Sequence, residues 1–212
     1  MEQPIALKSK LLRAIELVTL FIGIPTAYYY DLFPFHKIIP LIFGALYTIA
    51  LLVFDKSFNR QEIGLNGFKS YKHMLLRSAG VFIILVAATY FIAPDQLFFL
   101  PKNTTWLWAV IMLMYPAWSV IPQELIYRTF FFHRYQPLFP SNTAMIIASG
   151  VAFSFMHIIF ENIVALVFSL AAGVILSIIY SRHRSLLGIS LEHAIYGNMV
   201  FTTGLGTFFY IN

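Results

Sequence analysis

Glu124 and Arg128 stand four residues apart in the run Ile121-Pro122-Gln123-Glu124-Leu125-Ile126-Tyr127-Arg128. On a helix that spacing places both on one face. Two later apolar stretches each carry a histidine: His157 in Phe153-Ser154-Phe155-Met156-His157, and His193 in Leu191-Glu192-His193-Ala194-Ile195-Tyr196-Gly197-Asn198. An acidic or basic side chain at the centre of a membrane helix costs about 2.5–3.5 kcal/mol on insertion scales. A chain that keeps a carboxylate, a guanidinium and two imidazoles in such surroundings points to a polar site within the bilayer. A carboxylate there can act as a general base towards water. A neighbouring histidine can share its proton or bind the water, and a second histidine or an amide can donate to a developing oxyanion. Arg128 can orient the carboxylate and keep it ionised. Together these are parts for hydrolysing an amide.

Each residue also has a purely structural reading. Glu124 and Arg128 form an intrahelical ion pair that would let both enter the membrane. A single membrane histidine commonly serves as an interhelical hydrogen-bond partner. His157 and Glu161 are also four apart, a spacing that supports metal ligation, but Glu161 falls at the far end of its span and no His-Glu-x-x-His run exists. Glu124, His157 and His193 are candidate zinc ligands, and the sequence does not separate a zinc site from a metal-free one. Tyr127 and Tyr196 read as packing. His133, Arg134, Arg182, His183 and Arg184 read as interfacial, and His36 and His73 as loop or headgroup residues.

The elements that must position these groups follow from composition. Of 212 residues 59% are hydrophobic and 11% charged, against about 25% charged in a soluble domain. That predicts an all-α, polytopic membrane bundle forming a single domain over 1–212. There is no cysteine, so disulfides and thiolate chemistry are excluded. Apolar stretches long enough to cross the hydrocarbon core, roughly 17–25 residues, predict seven spans, near 12–30, 38–54, 77–93, 105–121, 142–160, 162–180 and 186–210. The fourth is expected to continue past Pro122, kinked there, to about Tyr135. The fifth and sixth are joined only by Glu161-Asn162, as in a tight helical hairpin. Lys8, Lys10 and Arg13 precede an apolar run without a small-residue cleavage pattern, which reads as a retained first span.

Charge sets the expected orientation. Lys8, Lys10, Arg13, Lys56, Arg60, Lys69, Lys72, Arg77, Arg128, Arg134, Arg182 and Arg184 fall on one side, and Lys37 and Lys102 on the other. The positive-inside rule then makes the N-terminus cytoplasmic and the C-terminus not, in a cell inner membrane. The net charge of +5 is accounted for by orientation and anionic lipid contact, so no nucleic-acid partner is expected. The loop from Asp55 to Tyr71 is expected to turn at Gly64-Leu65-Asn66-Gly67-Phe68 and to lie at the interface with Phe58, Leu65 and Phe68 inserted. Tyr28, Tyr29, Tyr30, Trp106 and Trp108 predict an outer aromatic belt. At about 1.5 Å per helical residue, Glu124 lies roughly 15 Å in from the cytoplasmic end, His193 roughly 13 Å and His157 roughly 22 Å. Three helices then place them in one chamber, expected to open to the cytoplasm.

Over roughly 105–205 the three segments, in this order on late helices, resemble the CAAX protease and bacteriocin-processing (CPBP) family of intramembrane glutamate-dependent endopeptidases, which includes the Ras-converting CAAX protease. The family pattern is Glu-Glu-x-x-x-Arg, Phe-x-x-x-His and His-x-x-x-Asn. The first appears here as Gln123-Glu124-Leu125-Ile126-Tyr127-Arg128 and the second intact as Phe153 to His157. In the third, Gly197 stands four residues after His193, with Asn198 one further. The resemblance implies a chamber open to the cytosol and cleavage near the end of a membrane-associated protein or peptide. The first glutamate of the pair and the first histidine would activate water; the second histidine and the asparagine would stabilise the oxyanion. That makes Gln123, Glu124, Arg128, His157, His193 and Asn198 the candidate catalytic residues. Gln123, a neutral amide, cannot be a base. Either Glu124 takes over, or the chain is an inactive relative acting as a membrane binding or immunity protein, or Gln123 is an engineered, nearly isosteric inactivation. The one-residue shift turns Asn198 by about 100° on a helix, unless a π-bulge brings it back. A small transporter using Glu124 and the histidines as a proton path is a further reading, weakened by the absence of an internal repeat.

Overall fold

The computed structural model describes residues 7–36, 38–65 and 71–210, and among these there are helices and no strands. Seven main helices follow one another: α1 Leu7–Tyr29, α2 Ile38–Phe54, α3 Tyr71–Ile92, α4 Thr105–Arg134, α5 Asn142–Phe160, α6 Ile163–His183 and α7 Leu186–Thr203. The polarity is that of a protein in lipid. Phe43, Phe54, Phe91 and Trp106 point outwards, while Glu124, Arg128, Ser149, Ser177 and Glu192 are fully buried. Of the seven expected spans, five helices among the described residues, α1, α3, α4, α5 and α6, are long and apolar enough to cross a membrane. Helix α2 has only 17 residues. Helix α7 carries Glu192, His193 and Asn198 and buries ten of its 18 residues in the bundle.

Local chemistry explains the boundaries and irregularities. The α5–α6 hairpin turns through Glu161 in the left-handed region and Asn162, whose side chain caps α6 by accepting from the Ala165 N–H. The two helices then close on glycine: a Cβ on Gly173 would lie 2.8 Å from the Gly150 carbonyl oxygen, the small-residue packing that lets membrane helices approach. Ser149 and Ser177 bond across the same seam at 2.9 Å. Helix α4 runs unbroken through Pro122. Its irregularity takes the form of two π-helical stretches, Pro116–Val120 and Leu125–Phe130, flanking the turn that carries Gln123 and Glu124.

One end of the bundle is solid and charged. Phe130, Phe131, Phe132, Tyr135 and Tyr180 are fully buried there, edge to face with one another and with Phe21. Around them Arg134 bonds Glu16 at 2.8 Å, His133 bonds Asp55 at 2.9 Å, Tyr180 bonds Glu62 at 2.8 Å and Ser185 bonds the Gly64 carbonyl at 2.7 Å. Arg13, which donates to the Arg134 carbonyl at 2.8 Å, and Arg184, 3.8 Å from Glu62, share this end with Arg134. The loop after α2 departs from expectation. Phe58 is buried against His133, with centroids 5.2 Å apart, instead of reaching into lipid. Leu65 is exposed. Lys37, Phe68 and Lys69 lie outside the described residues, as does the turn at Asn66-Gly67.

Candidate active site

The π-helical stretches of α4 frame Gln123 and Glu124, and the two side chains go to different places. Glu124 is completely buried. Its Oε1 is 2.7 Å from His193 Nδ1 and its Oε2 is 3.5 Å from Arg128 Nε, one turn along. A carboxylate only accepts, so the partner fixes the histidine tautomer: Nδ1–H donates and Nε2 is left with its lone pair. That Nε2 meets the Tyr115 hydroxyl at 3.3 Å. Arg128, also fully buried, donates to the Gly173 carbonyl at 3.2 Å and lies 4.5 Å above the Phe153 ring. The intrahelical pair and the histidine contact thus coexist: Arg128 backs Glu124, and Glu124 backs His193.

Gln123 instead faces a chamber of about 690 Å³. Its amide nitrogen donates one hydrogen to Ser119 Oγ at 2.7 Å, leaving the second free. His157 and His193 line the same chamber, separated by the Phe153 ring, whose centroid is 4.9 Å from one imidazole and 5.6 Å from the other. His157 Nδ1 donates to the Phe153 carbonyl at 2.7 Å, so its Nε2 also carries a lone pair. The fold therefore brings Gln123, His157 and His193 to one cavity, with Glu124 and Arg128 behind its wall. Among the described residues no group of three His, Cys, Asp or Glu is arranged to hold a metal ion. Glu124 turns from the chamber to His193, so the three candidate zinc ligands Glu124, His157 and His193 do not converge as such a group.

Asn198 is not brought in. Helix α7 is regular, without a π-bulge, so the one-residue shift stands. Asn198 Nδ2 donates to the Met112 carbonyl at 3.3 Å and the residue does not line the chamber. Gly197 occupies the motif position, and the space beside it belongs to Tyr115: a Cβ on Gly197 would overlap the phenol, with Cζ 2.6 Å away. Tyr115 escapes a reading based on the motifs. Only the fold brings α4 against Gly197 and places its hydroxyl on His193. Glu192 was missed as well, although the cost of a carboxylate at membrane depth would have singled it out. It is fully buried, takes two hydrogen bonds from Arg77 at 2.7 and 2.8 Å, and accepts from Tyr196 at 2.6 Å.

From Gln123 and His193 the chamber extends away from the charged end, past His157, to Phe35, His36, Phe160, Phe209 and Tyr210. His36, read from the sequence as a loop or headgroup residue, lies in the loop between α1 and α2 and lines the chamber.

No curated protein and no solved structure matches this chain. The family model for type II CAAX prenyl endopeptidases, Rce1-like, matches residues 102–199. That stretch holds Tyr115, Gln123, Glu124, Arg128, His157 and His193, and the apolar helices around them make the chain an integral membrane protein. Over residues 102–199 the chain is thus similar to the Rce1-like type II CAAX prenyl endopeptidases of the CPBP family, a family of proteases.

Proposed function

We propose that the chain is an intramembrane endopeptidase that hydrolyses a peptide bond near the end of a membrane-associated protein or peptide, with its glutamate acting through a histidine. The observation that carries this reading is the 2.7 Å bond from His193 Nδ1 to the buried Glu124, beside a chamber lined by a second histidine. Glu124 does not touch the chamber, so it is a positioning residue: it fixes the tautomer of His193 and stabilises the imidazolium that forms. Water in the chamber attacks the scissile carbonyl carbon, and its proton passes to His193 Nε2. The carbonyl oxygen becomes an oxyanion that the free N–H of Gln123 is placed to receive. Once protonated, His193 Nε2 can only donate, so the Tyr115 hydroxyl is released to turn towards the oxyanion. Collapse breaks the C–N bond, and the leaving amine takes the proton from His193. His157, with its Nε2 towards the chamber, holds the water by accepting a hydrogen bond.

A second reading rests on the chamber wall, which among the described residues includes no carboxylate, and on Gln123 standing in the family's water-activating position. It makes the chain a peptide-holding relative without hydrolysis. Purified chain, Glu124→Gln and Gln123→Glu, each incubated with membrane-anchored peptides and followed by mass spectrometry, separate the two. Cleavage by the chain that disappears in Glu124→Gln supports the proposal. Cleavage only by Gln123→Glu, or binding without cleavage in all three, supports the second reading.

A further inference from the structure

A second, smaller cavity of about 90 Å³ lies beside the chamber, between α1, α2, α4 and α5. Local structure leaves the space open. Helix α1 is irregular there, with a π-helical stretch at Thr19–Gly23 followed by Pro25. Helix α2 presents Gly44, which contributes no side chain; a Cβ on it would point at Ile126 Cδ1, 3.2 Å away, and both residues line the cavity. Leu41, Met156 and Ile159 line the cavity and the chamber alike, so these side chains form the partition between the two. Met156 directly precedes His157 in the chain. Tyr127, on the cavity wall, packs edge to face on Phe153 at 5.5 Å, and Phe153 is the ring between the two histidines. The cavity therefore adjoins the chamber where its imidazoles stand.

We propose that this cavity is a side-chain subsite of the chamber, taking one branched aliphatic side chain (leucine, isoleucine or valine) from the peptide held there, with Met156 as the movable partition. Among the described residues no Asp, Glu, Lys or Arg lines it. The Thr48 hydroxyl on its wall is turned back to the Ala45 carbonyl at 2.9 Å. A charged side chain would be stranded in such a space. Size narrows the choice further. An apolar cavity of about 150 Å³ holds a benzene, so this one suits an aliphatic group of about four carbons and not an indole. A lipid acyl chain, many carbons longer, exceeds it. Methionine is unbranched and flexible, so Met156 can change rotamer to admit the side chain at little cost. The subsite rests on the chamber being a peptide site, which the hydrolytic and the peptide-holding readings share.

The probe is a lysine-flanked alanine peptide with one central guest residue: glycine, alanine, valine, leucine, phenylalanine or aspartate. It carries a fluorophore and is added to the purified full-length chain in detergent micelles. The uniform host lets the guest reach the cavity in any register. Binding is read by fluorescence anisotropy and cleavage by mass spectrometry. Leucine and valine guests should bind about tenfold or more above alanine, with phenylalanine and aspartate below leucine. Gly44→Leu fills the cavity and should abolish the leucine gain while the alanine-guest peptide binds as before. Met156→Ala enlarges the cavity and should raise phenylalanine to or above leucine. A flat guest series, absence of all binding included, would overturn the proposal, as would a leucine gain that survives Gly44→Leu. If Gly44→Leu does not fold, Met156→Ala decides, and an unchanged guest order then refutes the subsite. A copurified lipid, seen by native mass spectrometry, that is lost in Gly44→Leu but not displaced by the leucine guest would assign the cavity to lipid instead. Guest-selective binding without cleavage leaves the subsite standing and removes the endopeptidase reading; cleavage indifferent to the guest does the reverse.

Discussion

Gly197 and Tyr115 make a prediction whose sign depends on the partner. Replacing glycine by alanine inside a helix gains about 1 kcal/mol in an open position. Here the added Cβ would overlap the far edge of the Tyr115 ring, which also packs 5.3 Å from Phe201 and so has little room to retreat. Overpacking of this kind costs about 1–3 kcal/mol. Gly197→Ala alone is therefore expected to be neutral to destabilising by about 2 kcal/mol. Tyr115→Leu removes the atoms the Cβ would meet, and in that background the same Gly197→Ala should stabilise by about 1 kcal/mol. The coupling, about 1–3 kcal/mol, falls within the range of contacting residues. Equilibrium unfolding in mixed detergent micelles of the chain, both single variants and the double variant measures it. A Gly197→Ala effect of the same sign and size in both backgrounds would refute the reasoning that Tyr115 fills the space that Gly197 leaves. Gly197→Asn, which restores the family motif, should by the same argument displace Tyr115 and lower any activity unless position 115 is also reduced.

Other consequences follow from buried charge. Glu124→Ala leaves Arg128, which is 0% exposed, without its counterion and should destabilise by about 3–5 kcal/mol; adding Arg128→Met should recover most of that loss in the same unfolding assay. Arg77→Met removes two charge-assisted bonds to Glu192 at about 1.5–3 kcal/mol each, and Arg77→Lys should recover only part because the bidentate geometry is lost. Asp55 lies outside the spans, and its hydrogen bonds from Ser57 and then His133 hold its carboxyl at about 2, below the ordinary 3.8. A depressed value means stability fully present above 3.8 and lost as pH falls through about 2. Asp55→Asn should thus destabilise at neutral pH, with the difference from the parent chain vanishing across that window; a difference that persists at the acid end would contradict it.

Much of the chain was legible before folding because its signals are local. Apolar runs mark α3, α5 and α6, the two-residue link Glu161-Asn162 makes a hairpin, and a carboxylate and two imidazoles in apolar surroundings announce a site. Unpaired charge at membrane depth is too costly to be incidental, so type and position alone single out Glu124, Arg128, His157 and His193. Their division of labour was not legible. Gln123 and Glu124 are adjacent, yet a 100° step on the helix turns one to the chamber and the other to His193, sixty-nine residues away. The π-helical stretches that set this rotation have no sequence signature beyond Pro116 at the start of the first. Tyr115 reaches His193 only because Gly197 lets α4 and α7 close, and Glu192 is neutralised only by Arg77 from α3. Hydropathy also does not separate a helix apolar for lipid from one, like α7, that buries ten of its 18 residues in the bundle. Which residues are chemically possible is a property of side chains and their order; which of them face one cavity depends on how the helices pack against one another.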